Sequence, residues 1–128
     1  MLARSAFSPM ALTRVVATPA AIDALAVGSG DRVCIRVAPD EILIDPSGHE
    51  LGPIDDPHAI TASDHSYSVA VVRSEDELAR ALEWQWPPTT PDGQGLLLAV
   101  PVKLVRHRHL LLLFCPTAVV HELEERLG

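Results

Sequence analysis

The sequence predicts an α+β domain in which two β-α-β-β halves form an antiparallel or mixed sheet, with helices packed on one side and a C-terminal helix. Three observations predict it. Short alternating or apolar runs of strand length recur along the chain, two stretches with helical spacing follow cap residues, and a polar seam divides the whole. With 128 residues the chain is one domain's worth. An apolar fraction of 48% against 21% charged is enough to build a core. The pseudo-halves span residues 11–45 and 60–127, joined by an acidic Pro/Gly seam at 46–59.

Each element has a local reason. Residues 11–18 (ALTRVVAT) mix β-branched and polar types and stop at Pro19, a short strand. Thr18 is then a helix N-cap with Pro19 in the first turn, and residues 20–27 (AAIDALAV) form a helix closed by Gly28-Ser29-Gly30. Residues 32–38 (RVCIRVA) alternate, with Val33, Ile35 and Val37 on one face. Pro39-Asp40 turns the chain into 41–45 (EILID), completing a hairpin. Between residues 37 and 66 stand seven acids and no Lys or Arg, the mark of a solvated connection.

The pattern then restarts. Residues 66–73 (SYSVAVVR) read as a strand with Tyr67, Val69 and Val71 sharing a face. Ser74 with Glu77 forms a capping box for a helix over 75–86, with Leu78, Ala81 and Leu82 on its buried stripe and Trp86 a candidate for its end. After a Pro/Thr/Gly loop, 96–105 reads as one strand. It runs into Arg106-His107-Arg108-His109 and pairs with 110–115. Pro116-Thr117 opens a last helix whose Val119, Val120, Leu123 and Leu127 face inward. In this layout the sheet face away from the helices needs a cover, from the seam or from a partner chain.

A net charge of −7 argues against non-specific binding to nucleic acid or an anionic membrane surface. Cys34 and Cys115, far apart, make neither a disulfide framework nor a zinc motif; each is expected to be a buried or half-buried thiol. No apolar run approaches the ~18 residues of a membrane span. Residues 1–22 lack an unbroken apolar core of the signal-peptide kind, so a cytoplasmic protein without a cleaved leader is expected. Nine arginines against a single lysine suit a GC-rich bacterial genome.

Chemistry-bearing patterns are soft. His107 and His109 share a strand face but stand between arginines, which repel a cation. His49, His58 and His65 lie among acids without the spacing of a metal motif, and no metal is expected. Asp64-His65-Ser66 are consecutive, so a strand sends them to alternate faces and no triad forms. No glycine-rich phosphate loop is present. Trp84 and Trp86 point in different directions on a helix. One suits the core; the other is either a partner anchor or packed beneath a loop. Lys103, Arg106 and Arg108 concentrate positive charge, either as a binding patch or as a solubilising hairpin tip.

Four stretches carry a family resemblance: the hairpin RVAPDEILID, the strand ITASDHSYSVAVVR, the helix EDELARALEW, and QGLLLAVPVKLV with LLLLFCPTAVVHELEERL. Together they resemble the small γ-subunit of heterotetrameric sarcosine oxidase, within the folate-binding aminomethyltransferase-like superfamily. The resemblance implies an accessory subunit without catalysis or cofactor of its own. It would dock on larger subunits that carry flavin and tetrahydrofolate, using its apolar sheet face and Trp84, Trp86, Lys103, Arg106 and Arg108. An alternative is a stand-alone folate or one-carbon binder, with Asp64 hydrogen-bonding a pteridine near the seam. A small histidine-based metal enzyme comes third.

Overall fold

Thr18 shows how local chemistry starts this fold. Its hydroxyl accepts from the Ala21 N–H at 3.3 Å, capping a helix that begins at Pro19. Its own N–H donates to Asp56 Oδ2 at 2.9 Å, which ties the seam to that helix start. The computed structural model describes residues 7–28, 32–46, 51–83 and 92–127. The described elements are β1 (Ser8–Val16), α1 (Pro19–Gly28), β2 (Cys34–Ala38), β3 (Glu41–Ile44), β4 (Ile60–Val71), α2 (Glu75–Ala81), β5 (Asp92–Leu97), β6 (Val100–His107), β7 (Leu110–Pro116) and α3 (Val120–Leu127). A single 3-10 turn, Thr117–Val119, leads into α3. None of the described helices is long and apolar enough to cross a membrane.

The chain divides into two compact units, one over Ala11–His65 and the other from the chain on either side of it. In the first unit β3 lies between β2 and β1, antiparallel to both. Ala38 pairs with Glu41, so Pro39-Asp40 is the two-residue turn the sequence predicts. The Arg36 guanidinium fastens it, donating to the carbonyls of Ala38 at 2.9 Å and Pro39 at 2.5 Å and to Asp23 of α1 at 2.8 Å. Alternation places Val15, Ile42 and Ile44 under Ala21 and Ile22 of α1. Leu51, Ile54 and Ala59 of the seam pack on this same helix-side cluster, so the seam is partly a cover rather than a purely solvated connection.

In the second unit the part of β4 from Tyr67 pairs with β7, β7 with β6, and β6 with β5, all antiparallel. Leu104, Leu111, Leu113 and Cys115 form one face, on which Leu78 of α2 and Leu123 of α3 pack. Val119, Val120 and Leu127 flank them, as the helical spacing predicts. Ser74 caps α2, accepting from the Glu77 N–H at 3.3 Å. Both units are therefore antiparallel sheet with helices on one side, an α+β arrangement. On the face away from the helices, Leu12, Ile35 and Leu43 are buried in one unit and Leu112 and Phe114 in the other, while Val71 on that face is 43% exposed.

Three expectations change in detail. β4 starts at Ile60, six residues before the expected Ser66, because the exposed run ITASDH is extended despite its polarity. Tyr67, Val69 and Val71 share a face as expected, and the alternate face, on the helix side, carries Ser68, Ala70 and Val72. Ser68 tolerates burial because its hydroxyl meets that of Thr117 at 2.8 Å. The expected strand 96–105 is instead the meeting of β5 and β6, turning at Leu98-Ala99. Finally, α2 ends at Ala81, where Leu82 turns extended and bridges to Leu97.

Candidate functional site

β4 stops where Val72 donates its N–H to the Leu111 carbonyl at 2.9 Å. The chain then leaves the sheet through Arg73 and Ser74 and enters α2. Beside it rises the β6–β7 hairpin, whose His107–Leu110 pairing leaves Arg108-His109 as the turn. Arg108 adopts a φ of 56° there, the left-handed conformation that closes so short a turn. Between these two segments lies a groove of about 440 Å³ whose lining includes Val72, Arg73, Ser74, Arg106, His109 and Leu110.

Arg106 forms one wall. Its guanidinium grips Glu75 with both arms, Nη2 to Oε1 at 2.5 Å and Nη1 to Oε2 at 3.2 Å. The hydrogen bond and then the charge of Glu75 raise the Arg106 pKa above its ordinary value. Both side chains remain well exposed, so the pair is of the exchangeable surface kind. Arg73 and His109 are exposed at the rim. Val71 and Leu110, 43% and 36% exposed, are apolar side chains left open near the same end of the sheet.

The basic residues expected to act together are separated. β6 alternation sends Arg106 to the helix side and Lys103 to the opposite face. Lys103 lies over the Tyr67 ring at 5.6 Å and bonds Gln94 at 3.2 Å. Arg108 stands in the turn beyond both. Trp84 and Trp86, the aromatic anchors, lie outside the described residues, as does His49. Asp64 is half-buried on β4, and its charge is felt at Arg14 of β1. Arg14 donates to Glu41 from Nε at 3.0 Å and Nη2 at 2.5 Å; that hydrogen bond and charge, with the charge of Asp64 adding, raise the Arg14 pKa.

Other candidates resolve locally. The His58 N–H donates to Asp56 Oδ1 at 2.8 Å, part of a turn. His107 ends a strand while His109 is a turn residue, so the shared face expected of them is lost. Among the described residues no group of three or more His, Cys, Asp or Glu could hold a metal ion. The sequence reading passed over Arg73, Ser74 and Leu110 as site residues. Ser74 was visible as a cap; the placing of Arg73 beside His109 depends on the β4–β7 register, which no local pattern encodes.

Cys115 is fully buried, and burial pushes its thiol up to about 11 from 9.0. Its protonated form is thus favoured by folding. Its contribution to stability is complete below pH ~9 and is lost as pH rises towards ~11, because the unfolded chain ionises first. In the folded protein, Cys115 is expected to resist a disulfide reagent at neutral pH and to react upon unfolding in urea. Rapid native labelling, assigned to Cys115 by peptide mapping, would contradict the burial.

No family model, curated protein or solved structure matches the chain.

Proposed function

We propose that the chain is a protein-docking module of the accessory-subunit kind, with its partner surface at the end of the sheet where β4, α2 and the β6–β7 hairpin meet. The observation that carries this reading is the groove beside Arg73. There, the exposed apolar side chain of Leu110 stands with the cations Arg73 and Arg106 and the His109 imidazole. Apolar centres with polar rims are the usual composition of a docking surface, and arginine is enriched in them. On the resemblance, the partners are larger oxidoreductase subunits that hold flavin and tetrahydrofolate. The chain itself contributes no catalysis or cofactor and works in the cytoplasm. The reading treats the two units as variants of one β-α-β-β plan, the second extended by a strand and α3. A free-standing folate binder using Asp64 is the less favoured reading, since that carboxylate already lies beside Arg14.

The test is mild affinity purification of the tagged chain from its native host, with mass spectrometry and an absorbance scan. Two or more larger chains with flavin absorbance, in fixed ratio to this one, are the expected result. A colourless protein that elutes alone would reject the oxidoreductase-subunit reading.

A further inference from the structure

The docking reading leaves the chemistry of the partner open, and the groove constrains it. The chain carries a net charge of −7, yet two arginines from separate stretches, Arg73 after β4 and Arg106 on β6, line this groove together with the His109 imidazole of the hairpin turn. Arg73 and His109 make no hydrogen bond or ion pair among the described residues. Arg106 is occupied, but by a carboxylate on a well-exposed side chain, Glu75. Glu75 shows what this wall accepts: a planar carboxylate taken by both arms of the guanidinium. Asp76 at the rim opposes a dense run of negative charge. The lining is mainly polar, with Val72, Leu110 and Leu111 as its apolar members and Leu110 the exposed one.

We propose that this groove receives a segment of a partner protein in which single acidic residues alternate with leucine-like ones. One carboxylate lies between Arg73 and His109, an apolar side chain covers Leu110, and a second carboxylate competes with Glu75 for Arg106. The inference rests on the docking reading and specifies its partner. The attraction between the exposed charges falls with added salt, while the apolar contact at Leu110 does not share that screening.

The probe is an acetylated, amidated hexapeptide of alternating Glu and Leu, titrated into the isotope-labelled full chain and followed by amide NMR shifts. The expected result is saturable shifts at Arg73, Ser74, His109 and Leu110. Affinity should fall at least tenfold in Arg73→Glu and severalfold in the milder Arg73→Gln, both with unchanged circular dichroism. No shifts at these amides, or equal binding by a peptide with Gln in place of Glu, would overturn the proposal. Inorganic phosphate reproducing the shifts where the peptide fails would assign a small-anion site instead and also overturn it. Concentration-dependent self-association lost in Arg73→Glu would make the occupant a second copy and reject the partner segment. The two readings separate in the host purification. If Arg73→Glu still brings down the same larger chains, the module stands and this surface falls.

Discussion

Leu113→Ala is expected to lower the unfolding free energy by about 2–5 kcal/mol, the range for truncating a fully buried leucine. Leu113 is 0% exposed in the middle of β7. It pairs with Ala70 on one side and Leu104 on the other, and belongs to the cluster closed by Leu78 and Leu123. Ala70 offers no bulk to collapse into the space, so most of the cavity should persist. Against a total stability of about 5–15 kcal/mol for a domain this size, the loss is large. Urea unfolding with an unchanged slope would measure it. Leu110→Ala, on the same strand but 36% exposed, is the control and should cost several-fold less. Equal costs for the two variants would mean that Leu113 does not sit in the core described.

What could be read from the sequence is what short-range chemistry decides. Thr18 with Pro19, Pro39-Asp40 between two alternating runs, and Ser74 ahead of Glu77 each specify their structure within four residues; the first two form as expected, and Ser74 supplies its half of the capping box by accepting from the Glu77 N–H. The stripe of α3 is equally local, since helical spacing alone brings Val119, Val120, Leu123 and Leu127 to one side. β4 escaped this reasoning at its start. Its polar first half is strand because neighbouring chain supplies the pairing, not because ITASDH prefers it. Further on, Tyr67, Val69 and Val71 share a face as alternation predicts, and the small residues Ser68 and Ala70 stand on the helix side.

The candidate site was legible only in fragments. Arg106 stood out by charge, and Ser74 by its cap. Arg73 became interesting only when β4 was seen to end against Leu111, carrying it to the hairpin. Lys103 and Arg106 looked like one patch in sequence, but an odd spacing along a strand puts them on opposite faces. Positive charge counted along a chain therefore overstates a patch whenever the segment is extended.

The turn between β5 and β6 hid for a different reason, and it yields the second large effect. Leu97 pairs with Val100, so Leu98 and Ala99 alone make the turn, at φ values of 51° and 65°. Two left-handed residues are the type I′ geometry, normally marked by Asn-Gly or Gly-Gly. A reader searching for those residues sees an unbroken apolar run. The left-handed conformation costs a residue with a Cβ about 1–2 kcal/mol. Tertiary contacts offset that cost: Arg126 of α3 donates to the Leu98 carbonyl at 2.6 Å, and Glu83 accepts from the Ala99 N–H at 2.9 Å. The Leu98 side chain packs on the core cluster, which explains leucine where asparagine would suit the backbone. Ala99 has no such compensation, since its side chain is exposed. Ala99→Gly is therefore expected to raise stability by about 0.5–1 kcal/mol, the relieved strain exceeding the added chain entropy. Ala99→Pro should lower it by about 3 kcal/mol or more, since proline fixes φ near −65° and removes the N–H that Glu83 accepts. The two variants change the same side chain in opposite directions, so thermal unfolding of both isolates the backbone. A glycine variant less stable than the parent would show that the turn is not held left-handed at Ala99.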